Sequence, residues 1–192
     1  MAGEVRRTYR VGRLAAMDTT GGLLGRLRTW ARKQAAEYAG DEDRPLSGYL
    51  QLMGLYTAGT LGAAAAAKLL GRRAPNGLTP WDVVQLGVAS QRLSRLLTKD
   101  PVTSPLRAPF TRYEGLSAPG ELHEEVRATG FGHSVGELVT CPMCLSQWVA
   151  TGLCAGLVLA PVPTRLVLAT FTAVAGADYL QHVYVALQQA TD

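Results

Sequence analysis

The amino-acid sequence predicts an all-α fold, a helical integral membrane protein with three to four membrane helices. Apolar residues are concentrated in long stretches, and most of the charges lie between these stretches. The mean hydropathy of +0.08 is ordinary for a soluble protein, but it averages apolar and charged regions. No strand-rich segment, internal repeat or glycine-rich phosphate loop is evident. A chain of 192 residues is long enough for one small helical bundle with a polar segment.

Residues 1–46 are predicted to form a basic N-terminal arm with an amphipathic helix. The apolar residues from Leu24 to Tyr38 recur at helical spacing, and basic residues lie on the other faces. Such a helix with one tryptophan, Trp30, fits a membrane interface, although packing on its own protein explains the pattern equally well. The first arginines are not followed by the apolar core of a signal peptide, so the N-terminus is expected in the cytoplasm.

Residues 47–192 are predicted to form a membrane helical domain with spans over about 49–67, 142–160 and 164–187. The first of these carries no charge and is just long enough for a hydrocarbon core of roughly 30 Å. A buried helix of a soluble protein is the alternative for it. The last two spans are separated only by a short proline-containing turn, which predicts a C-terminal helical hairpin.

Residues 80–98 are predicted to form an amphipathic helix that packs against the bundle or is partly inserted as a fourth crossing. The run from Thr79 to Asp82 has a capping threonine, a first-turn proline and an acid three residues after the cap. The predicted apolar face of this helix contains Val83, Leu86, Leu93 and Leu97.

Residues 99–140 form the main polar segment, which several prolines are expected to keep largely irregular. Within it, the acidic stretch from Gly120 to Thr129 predicts a short helix. A second short helix is expected just before the cysteine motif.

Three motifs follow one another here: TSPLRAPF at 103–110, GELHEE at 120–125 and GELVTCPMCLSQW at 136–148. In this order they resemble a family of small bacterial integral membrane proteins, common in actinobacteria, that is classed as a domain of unknown function. The resemblance covers about residues 80–188 and leaves the first 45 residues outside. It implies a place in the bacterial cell membrane and no established activity.

Cys141 and Cys144 are the first candidate functional residues. Pro142 suits the first turn of a helix, so Cys141 is expected to cap it, and a helix N-terminus favours the thiolate form. A thiol–disulfide redox pair is one interpretation, although no thioredoxin-like strand pattern surrounds the motif. Packing of two small residues where a helix enters the membrane is another.

Zinc binding is a further interpretation of the same cysteines. His133, Glu137, Cys141 and Cys144 are spaced four, four and three residues apart, which would place them within about 80° of arc on an unbroken helix. Two sulfurs with nitrogen or oxygen suit zinc, and His123 is the alternative third ligand. A single C-x-x-C pair is weaker evidence for zinc than two such pairs.

Asp178 and His182 are predicted to be polar residues inside the membrane, one turn apart on the last span. A carboxylate at membrane depth is costly and normally faces a partner, and Arg92 or Arg95 is the expected partner. Five basic residues are interpreted as lipid-binding or ion-pairing: Arg92, Arg95, Lys99, Arg107 and Arg112. Their two possible sets of partners are anionic lipid headgroups and the acids Glu121, Glu124 and Glu125, and the sequence favours neither set.

Function is predicted to be that of a non-catalytic accessory or scaffold component of a membrane assembly, because no nucleophile–base motif is present. The alternatives are a membrane thiol–disulfide redox protein and an anionic-lipid-binding protein. The expected partners are membrane lipids and other membrane subunits or a second copy. The net charge of +4 is accompanied by no nucleic-acid motif. The predicted location is the bacterial cell membrane, with several crossings and a cytoplasmic N-terminus.

Overall fold

The computed structural model describes residues 22–40, 44–72 and 78–191, and the chain divides into two units, Met1–Arg44 and Pro45–Asp192. In the first unit, the predicted helix is present as α1 (Leu23–Ala39). It ends at Gly40, whose φ of 58° lies in the left-handed region that favours glycine. The arm predicted over residues 1 to about 20 lies outside the described residues.

The second unit is mostly helical, as predicted, with a small sheet. Its elements are α2 (Leu46–Leu69), α3 (Pro80–Lys99), a 3₁₀ turn (Pro101–Thr103), α4 (Ser104–Arg107), β1 (Thr111–Ala118), β2 (Glu121–Val126), α5 (Phe131–Thr140), α6 (Pro142–Leu159) and α7 (Pro161–Thr191). The helices expected over 49–67, 80–98, 142–160 and 164–187 coincide with α2, α3, α6 and α7. Among the described residues, α6 is the one helix that is long and apolar enough to cross a membrane.

Helix α3 begins where its start signal predicts. The Oγ1 atom of Thr79 accepts a hydrogen bond from the N–H of Asp82 at 3.1 Å, and the carboxylate of Asp82 accepts one from the N–H of Thr79 at 2.8 Å. This reciprocal pair satisfies two backbone donors that a helix start leaves without partners. The capping prediction is therefore confirmed.

Helix α3 is also central to the unit, because it packs against both α6 and α7. The apolar core between these helices consists of Leu86, Ala89, Leu153, Leu157 and Leu168. Of the predicted apolar face, Leu86 is buried, Leu93 and Leu97 are half-buried, and Val83 is 56% exposed. The other buried residues of α3 are small: Ala89, Ser90, Ser94 and Thr98. Small side chains allow helix axes to approach closely, which explains why these positions are covered more completely than the leucines beside them.

The order of contacts shows how the helices run. Tyr49 at the start of α2 contacts Glu137 of α5, and Tyr56 contacts Thr151 further along α6, so α2 and α6 are parallel. Helix α7 folds back from α6 at Ala160 and is therefore antiparallel to it.

Helix α3 runs in the same direction as α7, because Arg92 near its end contacts Asp178, far along α7 from the Ala160 turn. One end of the bundle thus gathers the start of α2, the end of α3, both strands, α5 and the start of α6. We call this the polar end. The opposite end holds the Ala160 turn, the end of α2 and the start of α3.

The two-stranded sheet corrects the all-α prediction and the short helix expected over Gly120–Thr129. Strands β1 and β2 pair antiparallel, with Arg112 opposite Glu125. Pro119 and Gly120 form the turn, and Gly120 has a φ of 78°, which a glycine adopts at little cost. The acidic stretch was misread because its apolar residues do not alternate clearly with its charges. Pairing with β1 overrides the local preference.

Helix α5 packs closely on the second strand and on α2. A Cβ atom at Gly136 would lie 2.6 Å from Cγ1 of Val126, and one at Gly48 would lie 2.3 Å from Oγ of Ser134. Contacts this short leave no room for a side chain. Glycine is therefore required at both positions for α5 to lie this close to β2 and to α2.

Arg107 is fully buried although it is charged. Its Nη1 donates to the carbonyl of Leu97 at 2.9 Å and to Oγ1 of Thr103 at 2.7 Å, and its Nη2 donates to the carbonyl of Asp100 at 3.1 Å. Its Nε donates to the carboxylate of Glu124, whose side chain is 6% exposed. The guanidinium thus ties the end of α3 to β2. Arg107 forms an internal ion pair, one of its two predicted roles.

We predict that Gly136→Val lowers the free energy of unfolding by about 1–3 kcal/mol, the usual effect of overpacking. Denaturant unfolding followed by circular dichroism measures the change. The matched control is Gly87→Val on α3, where an added Cβ atom would have nothing within 4 Å. Equal losses in the two variants would contradict this account of Gly136.

We also predict that Glu124→Gln destabilises the protein by about 3–5 kcal/mol, because it leaves the buried Arg107 without a counter-charge. The neighbouring variant Glu125→Gln is the control. Glu125 is 65% exposed and lies 3.4 Å from Arg112, so its loss should cost about 0–1 kcal/mol. The same unfolding measurement applies, and similar losses in both variants would show that Glu124 is not the special partner.

Candidate functional site

The Cys141-Pro-Met-Cys144 motif starts α6 at the polar end. Cys141 is the N-cap and Pro142 the first helical residue, as predicted. The N–H of Cys144 donates to Sγ of Cys141 at 3.2 Å, and the two sulfurs form a disulfide with Cα atoms 5.3 Å apart. Cys144 is exposed, and Met143 is 86% exposed. The disulfide therefore lies where a second molecule can reach it.

Glu137 joins two other polar side chains just before this motif. Its Oε1 lies 3.4 Å from Nε2 of His133, and its Oε2 accepts a hydrogen bond from the Tyr49 hydroxyl at 2.5 Å. His133 and Glu137 share one face of α5 because they are four residues apart. The cluster connects α5 to α2, and sequence patterns pointed to two of its three members.

No group of three or more His, Cys, Asp and Glu side chains is arranged to hold a metal ion in the part of the chain that the structure describes. Cys141 and Cys144 bond to each other, and His133 contacts Glu137. His123 is exposed on β2, opposite Gly115. The zinc hypothesis stays a prediction, and the geometry adds no support to it.

The carboxylates of the GELHEE motif each meet a different arginine. Glu121 pairs with Arg95 of α3, Glu124 with Arg107 of α4, and Glu125 with Arg112 of β1. Arg112 also donates from Nε to Glu114 at 2.8 Å. This hydrogen bond and the charges of Glu114 and Glu125 raise the pKa of Arg112, which therefore stays protonated. The first two pairs hold the sheet against the helices, and the third joins its two strands.

A cavity of about 410 Å³ lies at the polar end between α3, the β1–β2 turn and α7. Asp178 lies at its wall, with Oδ2 2.8 Å from Nε of Arg92. The predicted pairing of Asp178 with Arg92 or Arg95 is thus confirmed for Arg92. Lys99, Gly120 and His182 also line the cavity. Asp178 and His182 are therefore level with the polar sheet, at the border of the apolar part of the bundle.

Tyr56 makes a polar contact between α2 and α6 that the sequence reasoning missed. Its hydroxyl oxygen lies 2.7 Å from Oγ1 of Thr151 and accepts a hydrogen bond from Nε2 of Gln147 at 2.9 Å. Its ring meets Trp148 edge to face, with centroids 5.2 Å apart. Tyr49 and Tyr56 are seven residues apart and so share one face of α2. That spacing was the available signal.

Comparison with known proteins connects the chain to a family. A family model described as "Protein of unknown function (DUF1360)" matches residues 85–184. "Sporulation protein YjcA" of Bacillus subtilis (strain 168) is 38% identical over 78 residues, which are 39% of this chain and 64% of that relative. The match thus spans less than two thirds of the relative's length, and no solved structure matches the chain. The expected membership of a family of unknown function is confirmed: the chain belongs to the DUF1360 family.

Proposed function

We propose that the second unit is a membrane domain in which α2, α3, α6 and α7 all cross the bilayer. The length and apolar composition of α6 support this proposal. Within the fold, Leu153 and Leu157 of α6 are buried and most of its other residues are half-buried, so this apolar helix is only partly covered by protein. Large apolar side chains are also exposed along α2 and α7, among them Leu50, Leu61, Leu166 and Leu180.

The directions and lengths of the helices support four crossings. Helices α2 and α6 run away from the polar end, and α3 and α7 return to it. Helix α6 has 18 residues, a length of about 27 Å that approaches a hydrocarbon core of roughly 30 Å. Helix α7 covers a similar distance between Pro161 and Asp178, and its remaining turns then extend beyond the apolar layer.

Four crossings place both ends of the domain and the whole polar end on one side of the membrane. The polar end carries Arg95, Arg112 and Arg127, and we assign it to the cytoplasm by the positive-inside rule. Lys68 and Arg72 at the opposite end run against this rule. The distribution of charge nevertheless favours a cytoplasmic polar end.

Labelling of single cysteines tests this topology. In a chain whose three natural cysteines are replaced by serine, Val162→Cys should react with a membrane-impermeant maleimide on intact cells, because Val162 is 71% exposed at the opposite end. Ser117→Cys, exposed on β1 at the polar end, should react only after permeabilisation. Labelling of both positions from the same side would contradict the four-crossing arrangement.

For the activity of this domain, we propose thiol–disulfide exchange between the Cys141–Cys144 pair and a dithiol of a partner molecule. The observation that carries the proposal is the exposed disulfide at the start of α6. The helix N-terminus and the N–H of Cys144 stabilise negative charge on Cys141, which makes Cys141 the better leaving group. Cys144, the more exposed residue, is the one open to attack.

The exchange is balanced in atoms and electrons. A partner thiolate attacks Sγ of Cys144, the bond between the two cysteines breaks, and Cys141 leaves as a thiolate. The second partner thiol, once deprotonated, attacks the partner sulfur of the mixed disulfide and releases Cys144. The partner dithiol is oxidised to a disulfide by two electrons, and its two protons end on Cys141 and Cys144. Disulfides on the cytoplasmic side are transient, so the pair is expected to cycle.

Alkylation of the denatured protein tests this chemistry, because the chain has three cysteines. After equilibration in an oxidising glutathione buffer, only Cys154 should be alkylated. After a reducing buffer, all three cysteines should react, and the change should be reversible. The Cys141→Ser variant is the control, because it cannot form the internal disulfide, and after the oxidising buffer Cys144 should be either alkylated or joined to glutathione, two states that differ in mass.

Two results would contradict the exchange proposal. Three reactive thiols under every buffer would show that the pair does not oxidise. Near-stoichiometric zinc in protein purified without chelator, absent from a Cys141→Ser/Cys144→Ser variant, would establish the metal interpretation instead.

A non-catalytic role in a membrane assembly is the second candidate function. It is favoured by a groove of about 500 Å³ between α2 and α6, whose α2 wall has small residues at Gly59, Ala63 and Ala67. Such spacing is typical of close helix packing in membranes. This role requires no change in thiol state, so the alkylation experiment separates the two candidates. A purified chain that light scattering shows to be a monomer without a stable partner would count against it.

A further inference from the structure

We infer that the cavity at the polar end binds a small zwitterion that carries both a phosphate and an ammonium group, supplied by the headgroup of an aminophospholipid. The choice of lipid as the source rests on the membrane topology proposed above. The binding chemistry itself rests on the charges that line the cavity.

Six charged residues line the cavity, three of each sign: Arg92, Arg95, Lys99, Asp100, Glu121 and Asp178. Four of them are engaged with one another. Arg92 lies 2.8 Å from Asp178, and Arg95 pairs with Glu121. These two ion pairs form parts of the cavity wall. The first joins α3 to α7, and the second joins α3 to the start of β2.

Lys99 and Asp100 remain. Within the described ranges, the Lys99 ammonium has neither an acidic partner nor a hydrogen-bond partner. The Asp100 carboxylate accepts a hydrogen bond from the N–H of Val102 at 3.1 Å and meets no cation among the described residues. One cation and one carboxylate, on consecutive residues that line the cavity, are thus left without an opposite charge from the described residues. Their complement is a ligand with one anionic and one cationic group.

The remaining lining fits the polar part of such a ligand. The side chains of Gln91, Gln181 and His182 supply hydrogen-bond donors for phosphate oxygens. A volume of about 410 Å³ is in the range of small-molecule sites and exceeds what a bound ion needs. A purely anionic headgroup offers no cation to Asp100. A quaternary ammonium headgroup has no N–H to donate to that carboxylate.

The position of the cavity identifies the source of the ligand. Asp178 lies about 27 Å along α7 from the Ala160 turn, close to the thickness of a hydrocarbon core. The cavity is therefore at the depth where phospholipid headgroups lie on the polar side. A lipid can present its phosphate and amine there while its acyl chains stay among the apolar helices.

Binding of fluorescently labelled phosphatidylethanolamine to the full chain in detergent tests the inference. Phosphatidylethanolamine should compete better than phosphatidylglycerol and phosphatidylcholine. Lys99→Gln should weaken binding about tenfold, as expected for loss of one charge-assisted hydrogen bond. Asp100→Asn, which preserves the turn cap, should weaken it similarly. Lys68→Gln at the opposite end is the control and should leave binding unchanged.

Soluble phosphoethanolamine provides the second arm of the experiment. Competition by the lipid alone supports the headgroup assignment. If soluble phosphoethanolamine binds and the lipid does not, the zwitterion site is supported and the lipid source is overturned. Equal binding of phosphatidylglycerol, or no effect of Lys99→Gln, overturns the inference. Because the soluble ligand needs no bilayer, its Lys99-dependent binding would stand even where cysteine labelling contradicts the topology.

Discussion

The buried ion pair between Arg107 and Glu124 is the contact on which the polar end depends. A guanidinium removed from water is tolerated only where its donors are matched, and here the carbonyls of Leu97 and Asp100, the Thr103 hydroxyl and the Glu124 carboxylate match them. These partners come from three separate elements. The ion pair can therefore form only when the end of α3, the turn after it and β2 are packed in this one arrangement.

This constraint also positions the two candidate sites. With β2 held against the end of α3, the β1–β2 turn reaches α7 and closes the cavity that contains Asp178. On its other side β2 contacts α5, where Gly136 allows the close approach. Helix α5 leads directly into Cys141, so the disulfide is oriented by the same packing. Catalytic exchange at the cysteines and headgroup binding in the cavity would share one rigid support.

The rest of the bundle is held differently. Its apolar core is small, and small residues on α3 let α6 and α7 approach closely. Much of the apolar surface of α2 and α7 is left outside this core. In a bilayer such surfaces need no further protein cover, because lipid chains solvate them and helix packing relies on close contact. The membrane proposal accounts for an apolar core that would be small for a soluble protein of this length.

Local rules made the correct predictions. The Thr79–Asp82 cap and the Cys141–Pro142 helix start follow from hydrogen bonding within a few residues, and the positions of the long helices follow from the apolar stretches. Charge chemistry also predicted a partner for Asp178. Predictions failed where distant segments compete: the acidic stretch after Gly120 became a strand because β1 pairs with it and Arg107 holds Glu124. On α3 the small residues Ala89, Ser90, Ser94 and Thr98 join Leu86 in the buried face because they fit closely against α6 and α7. Neighbouring residues thus suffice for where helices start and stop, whereas burial, pairing and the walls of a site arise from contacts between residues far apart in the chain.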